Sequence, residues 1–397
     1  MTTAPTLKRQ LGFWALVAYG VGDILGAGIY ALMGEVAGIA GVHAWLAFAV
    51  ALVVAALTAL SFAELSSRYP RSGGVAAYCQ EAFHDDRLAF LIGWLMLCAG
   101  IVSMATIARA FAGYVAPLLP DWPAWGPILG FLLALTALNL AGIRQASAAN
   151  ILCTLIEASG LVVVIVVGLR FWAAQEGVAL SVPQPELTGS GLLQAGALAF
   201  FAFIGFEDMV NVAEEVKAPQ RNLPRAILTA LGISAALYMV VAAVAAHVVP
   251  PSQLAASPAP LLEVVRRAAP DFPIALFTAI AVFAVANTSL LNHVSSSRLV
   301  YGMARDRLLP PVLGRVHPRR HTPHLAILVV GAVALIGALA GRLAPLAGAT
   351  SALILMVFVA VNGALIRVKR RPRTQAAFQV PPAVPVVGLI VSLGLGW

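Results

Sequence analysis

Ten apolar runs, each close to the length of a bilayer-crossing helix, take up most of this 397-residue chain. They lie near residues 11–33, 43–63, 88–117, 125–141, 148–172, 191–213, 225–248, 272–297, 323–341 and 346–366. A helix needs about 20 apolar residues to cross a hydrocarbon core roughly 30 Å thick. Inside that core every backbone N–H and C=O must be satisfied by the protein itself, which for runs this long leaves the α-helix. Only 11% of the residues are charged and 60% are hydrophobic, against about 25% charged in soluble domains. The expectation is an all-α polytopic membrane protein. A last apolar run begins near Val384 and stops at Trp397. It is shorter than a span, so the chain is read as cut short there, or its final segment as lying partly in the membrane.

Lys and Arg set the expected orientation, because they accumulate on the cytoplasmic side. With the N-terminus cytoplasmic, twenty of the 25 basic residues fall in inside segments: among them Lys8 and Arg9, Arg68 and Arg71, the arginines from Arg298 to Arg320, and Arg367 to Arg373. Four (Arg170, Arg266, Arg267, Arg342) fall outside, and Arg109 lies within the third run. This placement accounts for the formal charge of +8 and removes nucleic acid as an expected partner. The first run is too long for the apolar core of a signal peptide and lacks a clear cleavage site. The cysteines, Cys79, Cys98 and Cys153, form no disulfide framework or metal-ligand spacing. No cofactor is implied.

Two of the runs are interrupted. The first contains Gly20-Val21-Gly22-Asp23-Ile24-Leu25-Gly26-Ala27-Gly28-Ile29-Tyr30. Each Gly costs a helix interior about 1 kcal/mol relative to Ala, and a carboxylate sits among them. The sixth contains Phe200-Phe201-Ala202-Phe203-Ile204-Gly205-Phe206-Glu207-Asp208. Taken singly, each pattern also fits close packing, since Gly22 and Gly26 form a small-xxx-small pair. Ten spans divide as five plus five, which sets the second half in inverted orientation and makes the first and sixth segments counterparts. The expected repeats are residues 1–172 and 173–368, followed by a basic loop and incomplete span over 369–397. Matched broken helices in inverted halves point to the substrate site of a transporter.

The chemistry of such breaks suits a zwitterion. Gly26, Ala27 and Gly28 open the second half of helix 1, where free N–H groups and a positive dipole attract a carboxylate. Ala202, Phe203 and Ile204 close the first half of helix 6, where carbonyls attract an ammonium. Phe201 is placed as a lid. Charges at membrane depth are costly and functional by default. Asp23 is read as attracting an ammonium, binding a cation or capping the broken helix. Glu207 is read as a proton carrier. Glu157 is read as a site for a proton or sodium ion, or as a partner of Arg109. Glu64, Glu214, Glu215 and Asp208 are assigned to solvated pairs at the span ends. No Walker loop or HExxH motif occurs, the acids are too sparse for a channel, and no clustered catalytic set suggests an enzyme.

Four separated motifs now carry a resemblance: Gly20-Val21-Gly22 through Gly26-Ala27-Gly28-Ile29-Tyr30; Glu64-Leu65-Ser66-Ser67-Arg68-Tyr69-Pro70-Arg71-Ser72-Gly73-Gly74; Phe201 to Glu207 with Glu214-Glu215, Pro219 and Pro224; and Ser297-Arg298 with Tyr301, Ala304-Arg305-Asp306 and Pro310. The chain resembles amino acid permeases of the amino acid–polyamine–organocation superfamily. The resemblance implies a five-plus-five inverted-repeat, leucine-transporter-like core with broken helices 1 and 6. It implies a carrier in the cell membrane that moves amino acids or related amines by alternating access, with coupling to protons, sodium or exchange. It places Ile24 and the Gly26–Gly28 amides at the substrate carboxylate, carbonyls around Ala202–Ile204 at the amine, Phe201 as aromatic gate, and Glu207 at a position tied to proton coupling. Two positions depart from the pattern. Glu157 stands where similar permeases often carry a lysine. Asp23 stands where they carry a small neutral residue, and there it favours an additional positive charge on the substrate. The family commonly has twelve spans; the ten-span core is present here.

Overall fold

The computed structural model describes residues 6–115, 122–123, 125–174, 187–257, 259–340, 343–371 and 376–395. Arg342, Arg373, Trp397 and the side chain of Ala27 lie outside the described part. The described chain is helical throughout: α1 Phe13–Ala40, α2 Ala44–Arg68, α3 Gly74–Phe83, α4 Asp86–Val115, α5 Trp125–Ala141, α6 Ile143–Ala174, α7 Gly189–Phe201, α8 Pro219–Val248, α9 Pro251–Ala256, α10 Pro260–Ala268, α11 Ile274–Arg305, α12 His324–Ala340, α13 Leu343–Lys369 and α14 Ala383–Leu395. A 3-10 helix, Phe206–Glu215, follows α7, and a shorter one spans Pro311–Gly314.

Among the described residues, eight stretches are long and apolar enough to cross a membrane. Two of the ten expected spans, α5 and α12, are apolar helices of 17 residues. α3, α9 and α10 were not expected: they are short helices between the apolar runs, on stretches that read as loops. Helices that are apolar on every side have no face to offer water. Accordingly Leu155, Leu193, Ile336 and Ile390 are all more than half exposed, as lipid-facing side chains are.

The helices fall into two groups. α1, α2, α7 and α8 pack on one another, and α4, α11 and α12 form a second set with α5. α6 and α11 both lie against α1 at the seam between the groups. α14 packs on α2 and α13, and a Cβ on Gly388 would come within 2.6 Å of Asn362 Oδ1. Asn362 in turn accepts from Ser61 Oγ at 2.7 Å and donates to Thr58 Oγ1 at 3.2 Å. The final apolar run is therefore a docked helix of 13 residues.

Three of the acids assigned to span ends, Glu64, Glu214 and Glu215, do pair with basic groups, but Glu64 and Glu215 are buried. Glu64 is fully buried and bonds Arg68 at 2.6 Å and Lys369 at 2.7 Å. Glu215 is fully buried against Arg298 at 2.9 Å. Chain passing overhead excludes the water that the sequence reading supplied. Val380 N donates to Glu64 at 2.8 Å, and the strap before α1 bonds Glu215 through Gln10 N and Leu11 N to its carbonyl. Arg109 is no partner of Glu157: its Nη1 donates to Ala338 O at 2.6 Å, at the end of α12.

Candidate functional site

The two interrupted segments touch each other at their interruptions. In α1 one residue leaves helical geometry, Gly26, with φ −19° and ψ −150°. α7 ends at Phe201, residues 202–205 form turns, and the 3-10 helix begins after Gly205 at φ 137°. A Cβ on Gly28 would lie 2.8 Å from Ala202 Cα. A Cβ on Gly205 would lie 2.8 Å from the carbonyl carbon of Asp23 and 3.0 Å from Ile24 N. Backbone thus meets backbone at two points, which only glycine permits.

A third element holds this crossing. A helix interrupted at Gly26 leaves carbonyls on its N-terminal side without partners four residues on. The Tyr238 hydroxyl of α8 faces one of them, Ile24 O, at 2.5 Å, and also Ala202 O, at 3.0 Å. One hydroxyl proton serves two carbonyls, one from each break. The tyrosine is fully buried against Phe48 and Phe203, with ring centroids 5.6 and 5.2 Å away.

Beside the crossing is a cavity of about 330 Å³, within the range of small-molecule sites. Of the expected residues, Asp23, Ile24, Gly26, Gly28, Phe201, Ala202, Ile204 and Glu207 line it. Phe203 does not; its ring packs on Tyr238 and Phe48, leaving only its backbone near the break. Asp208, assigned from sequence to a solvated end, lines the cavity and is 7% exposed. α4 and α11 complete the wall with the polar side chains Ser103, Thr106, Thr288 and Asn292. Sequence reasoning passed over these and Tyr238, although a hydroxyl or amide inside an apolar run is a weak signal of the same kind as a buried acid.

The three cavity acids are held differently. Glu207 accepts from Gly205 N at 2.9 Å, so one of its oxygens caps the 3-10 helix. Asp208 accepts from Ser295 Oγ at 2.6 Å. Asp23 Oδ2 is buried with no hydrogen-bond partner among the described residues.

Glu157 belongs to a different neighbourhood, between α1, α6 and α11. There Asn287 Nδ2 donates to Thr154 Oγ1 at 3.1 Å, and Thr154 Oγ1 donates to Asn150 Oδ1 at 3.1 Å or Ala18 O at 3.3 Å. A Cβ on Gly22 would fall 2.1 Å from Thr154 Oγ1. Both oxygens of Glu157 are buried without a hydrogen-bond partner among the described residues, as is Asn287 Oδ1. A bare charge on a carboxylate buried with so few polar neighbours is costly.

Residues 11–395 match the family model described as amino acid permease. A branched-chain amino acid permease of Bacillus subtilis is 29% identical over 422 residues, covering 99% of this chain and 89% of that protein. A chloroplastic cationic amino acid transporter of Arabidopsis thaliana is 35% identical over 340 residues, covering 80% of this chain and 59% of the longer relative. Among solved structures, a nucleobase-cation-symport-1 family transporter, closed with bromovinylhydantoin bound, superposes with a TM-score of 0.67 at 15% identity, covering 99% of this chain and 93% of that one. That likeness shows the leucine-transporter-like fold. With the family match running from the strap before α1 to the end of α14, the chain belongs to the amino acid permease family and is a multi-pass membrane transporter.

Proposed function

We propose that the protein is a secondary active carrier of amino acids or related amines, working by alternating access from the cavity between the two breaks. The observation that carries this reading is the double contact of Gly28 on Ala202 and Gly205 on Asp23 and Ile24, beside a cavity lined by both segments. The amides of Gly26, Ala27 and Gly28 receive the substrate carboxylate. Carbonyls of the 202–204 turn and the free oxygen of Asp23 receive the ammonium. Ala202 O is shared with Tyr238, so an arriving ammonium competes with that hydroxyl. Phe201 covers the ligand. The group α1, α2, α7 and α8 rocks against the scaffold of α4, α5, α11 and α12. Residues 1–172 and 173–368 act as the two inverted repeats. The protein sits in the cell membrane with its N-terminus cytoplasmic.

Protons drive the cycle through Glu207, with Glu157 as the second ionisable site. The unpartnered carboxylate of Glu157 beside Asn287 favours a second reading, in which a sodium ion occupies that neighbourhood or the carrier works by exchange alone. The named relatives move branched-chain amino acids in one case and cationic amino acids in the other. Asp23 inclines this chain to substrates with an extra positive charge. Purified protein in proteoliposomes, offered radiolabelled L-leucine, L-arginine and putrescine with imposed proton or sodium gradients, tests all of this. Uptake stimulated by an inward proton gradient and abolished in Glu207→Gln is expected. Uptake that ignores pH and survives that substitution sinks proton coupling through Glu207. Asp23→Asn is expected to weaken L-arginine uptake by roughly tenfold, the worth of one charge-assisted hydrogen bond. Unchanged L-arginine uptake would leave Asp23 a cap for the broken helix.

A further inference from the structure

The 3-10 helix beside the cavity is tied to α11 and to the turn before α3 by a ladder of polar contacts. A 3-10 helix has three residues per turn, so side chains three apart eclipse one another. Asp208, Asn211 and Glu214 therefore stand in one row. Asp208 Oδ1 accepts from Ser295 Oγ of α11 at 2.6 Å, and Ser295 Oγ accepts from Asn211 Nδ2 at 2.9 Å. Asn211 Oδ1 lies where the turn leads into α3: a Cβ on Gly74, the first residue of that helix, would be only 2.5 Å away. Glu214 binds that turn and α11 together. It accepts from Ser72 N at 3.0 Å, from Tyr301 Oη at 3.4 Å and from Arg305 Nη1.

Asp208 is the member of this row that also lines the cavity. Its carboxylate thus faces both the ligand space and the hydroxyl that begins the ladder. A cationic group entering the cavity offers the Asp208 carboxylate an ion pair as well as a hydrogen bond, where the Ser295 hydroxyl offers only a hydrogen bond from a neutral donor. Drawing the carboxylate toward the cavity takes the acceptor from Ser295, and with it the orientation that Ser295 gives Asn211. We propose that Asp208 is a positioning residue that reports cavity occupancy to the 3-10 helix, acting through Ser295 and Asn211 on the contacts of that helix with α11 and the turn before α3. This inference rests on the carrier reading and adds to it how a bound substrate loosens the 3-10 helix.

The test is hydrogen–deuterium exchange of peptides covering residues 206–216 in the full chain, with saturating L-arginine as probe and uptake measured on the same preparation. In the wild type, L-arginine is expected to speed exchange there by roughly tenfold, the effect of about one hydrogen bond on a local opening. Asp208→Asn keeps an acceptor for Ser295 but not the charge, so it folds as before and loses the response. Ser295→Ala exchanges fast without ligand, and Ser295→Thr restores the wild-type pattern. A merely structural contact would make Ser295→Ala fast yet leave the L-arginine response of Asp208→Asn intact, and that result overturns the proposal. So does wild-type L-arginine uptake with no change in residues 206–216. Failure of the wild type to take up any amino acid overturns the carrier reading itself, a separate outcome on a separate readout.

Discussion

Gly205 meets two constraints at one Cα. Its φ of 137° is closed to L side chains, and a Cβ there would sit 2.8 Å from the carbonyl carbon of Asp23. The backbone conformation alone costs a substituted residue about 1–3 kcal/mol, and the overlap can be relieved only by pushing α1 away from the break. Gly205→Ala is therefore expected to lower uptake by at least roughly tenfold, with the protein still inserted. Gly232 in α8 is the control: nothing lies within 4 Å of its Cβ position, and Ala there is expected to be neutral or to gain up to about 1 kcal/mol of helix stability. Equal loss in both variants would mean that the assay reads helix disturbance in general. A second residue-scale expectation concerns Cys79 in α3, which is fully buried, with its thiol pushed up to about 12 by burial. Thiolate is the reactive form. Maleimide at neutral pH is therefore expected to leave Cys79 unmodified until the protein is denatured, as mass spectrometry of the modified peptides would show.

At the scale of elements, α8 holds the two breaks together through one hydroxyl. Tyr238→Phe removes the donor and leaves Ile24 O and Ala202 O buried beside an apolar ring edge, a cost of about 1–3 kcal/mol. Because both carbonyls border the cavity, the expected result is uptake slowed by roughly tenfold with the fold retained; unchanged uptake would make the hydroxyl a bystander. The breaks themselves were legible in the sequence, since glycines and acids inside an apolar run violate local helix propensity whatever surrounds them. Tyr238 was not legible in that way, because nothing local says which of many buried hydroxyls will meet a freed carbonyl 214 residues away. The 3-10 form of Phe206–Glu215 was hidden for a related reason: its residues suit an α-helix equally well, and the contacts that fix it come from α11 and the turn before α3. Asp208 was misplaced because distance along the chain from a span's end is a poor measure of depth in a helix that changes pitch.

At the scale of the whole molecule, the span pattern and the fold could be read because apolar length is a property of each segment alone. The pairing of the buried charges could not, since Glu64 meets Lys369 only after α2 and α13 have been brought together. That pairing ties the connection between α13 and α14 to the other half of the chain. Lys369 Nζ also donates to Val380 O at 2.6 Å, Ser67 Oγ accepts from Phe378 N at 3.1 Å, and Arg371 donates to the carbonyls of Glu81 and Ala82 at 2.7 and 2.6 Å. The connection is thereby fastened across the ends of α2 and α3, the elements that lead into the turn clasped by Glu214. Lys369→Ala leaves Glu64 with Arg68 and one backbone N–H, so the expected cost is about 2 kcal/mol, below the 3–5 kcal/mol of a buried charge left wholly unpaired. Thermal unfolding in detergent is expected to shift down by roughly 2 °C. Lys369 does not border the cavity, so the substrate concentration for half-maximal uptake is expected to stay at its wild-type value. A loss of substrate affinity without a loss of stability would show that this clamp reaches the site and does more than hold the scaffold.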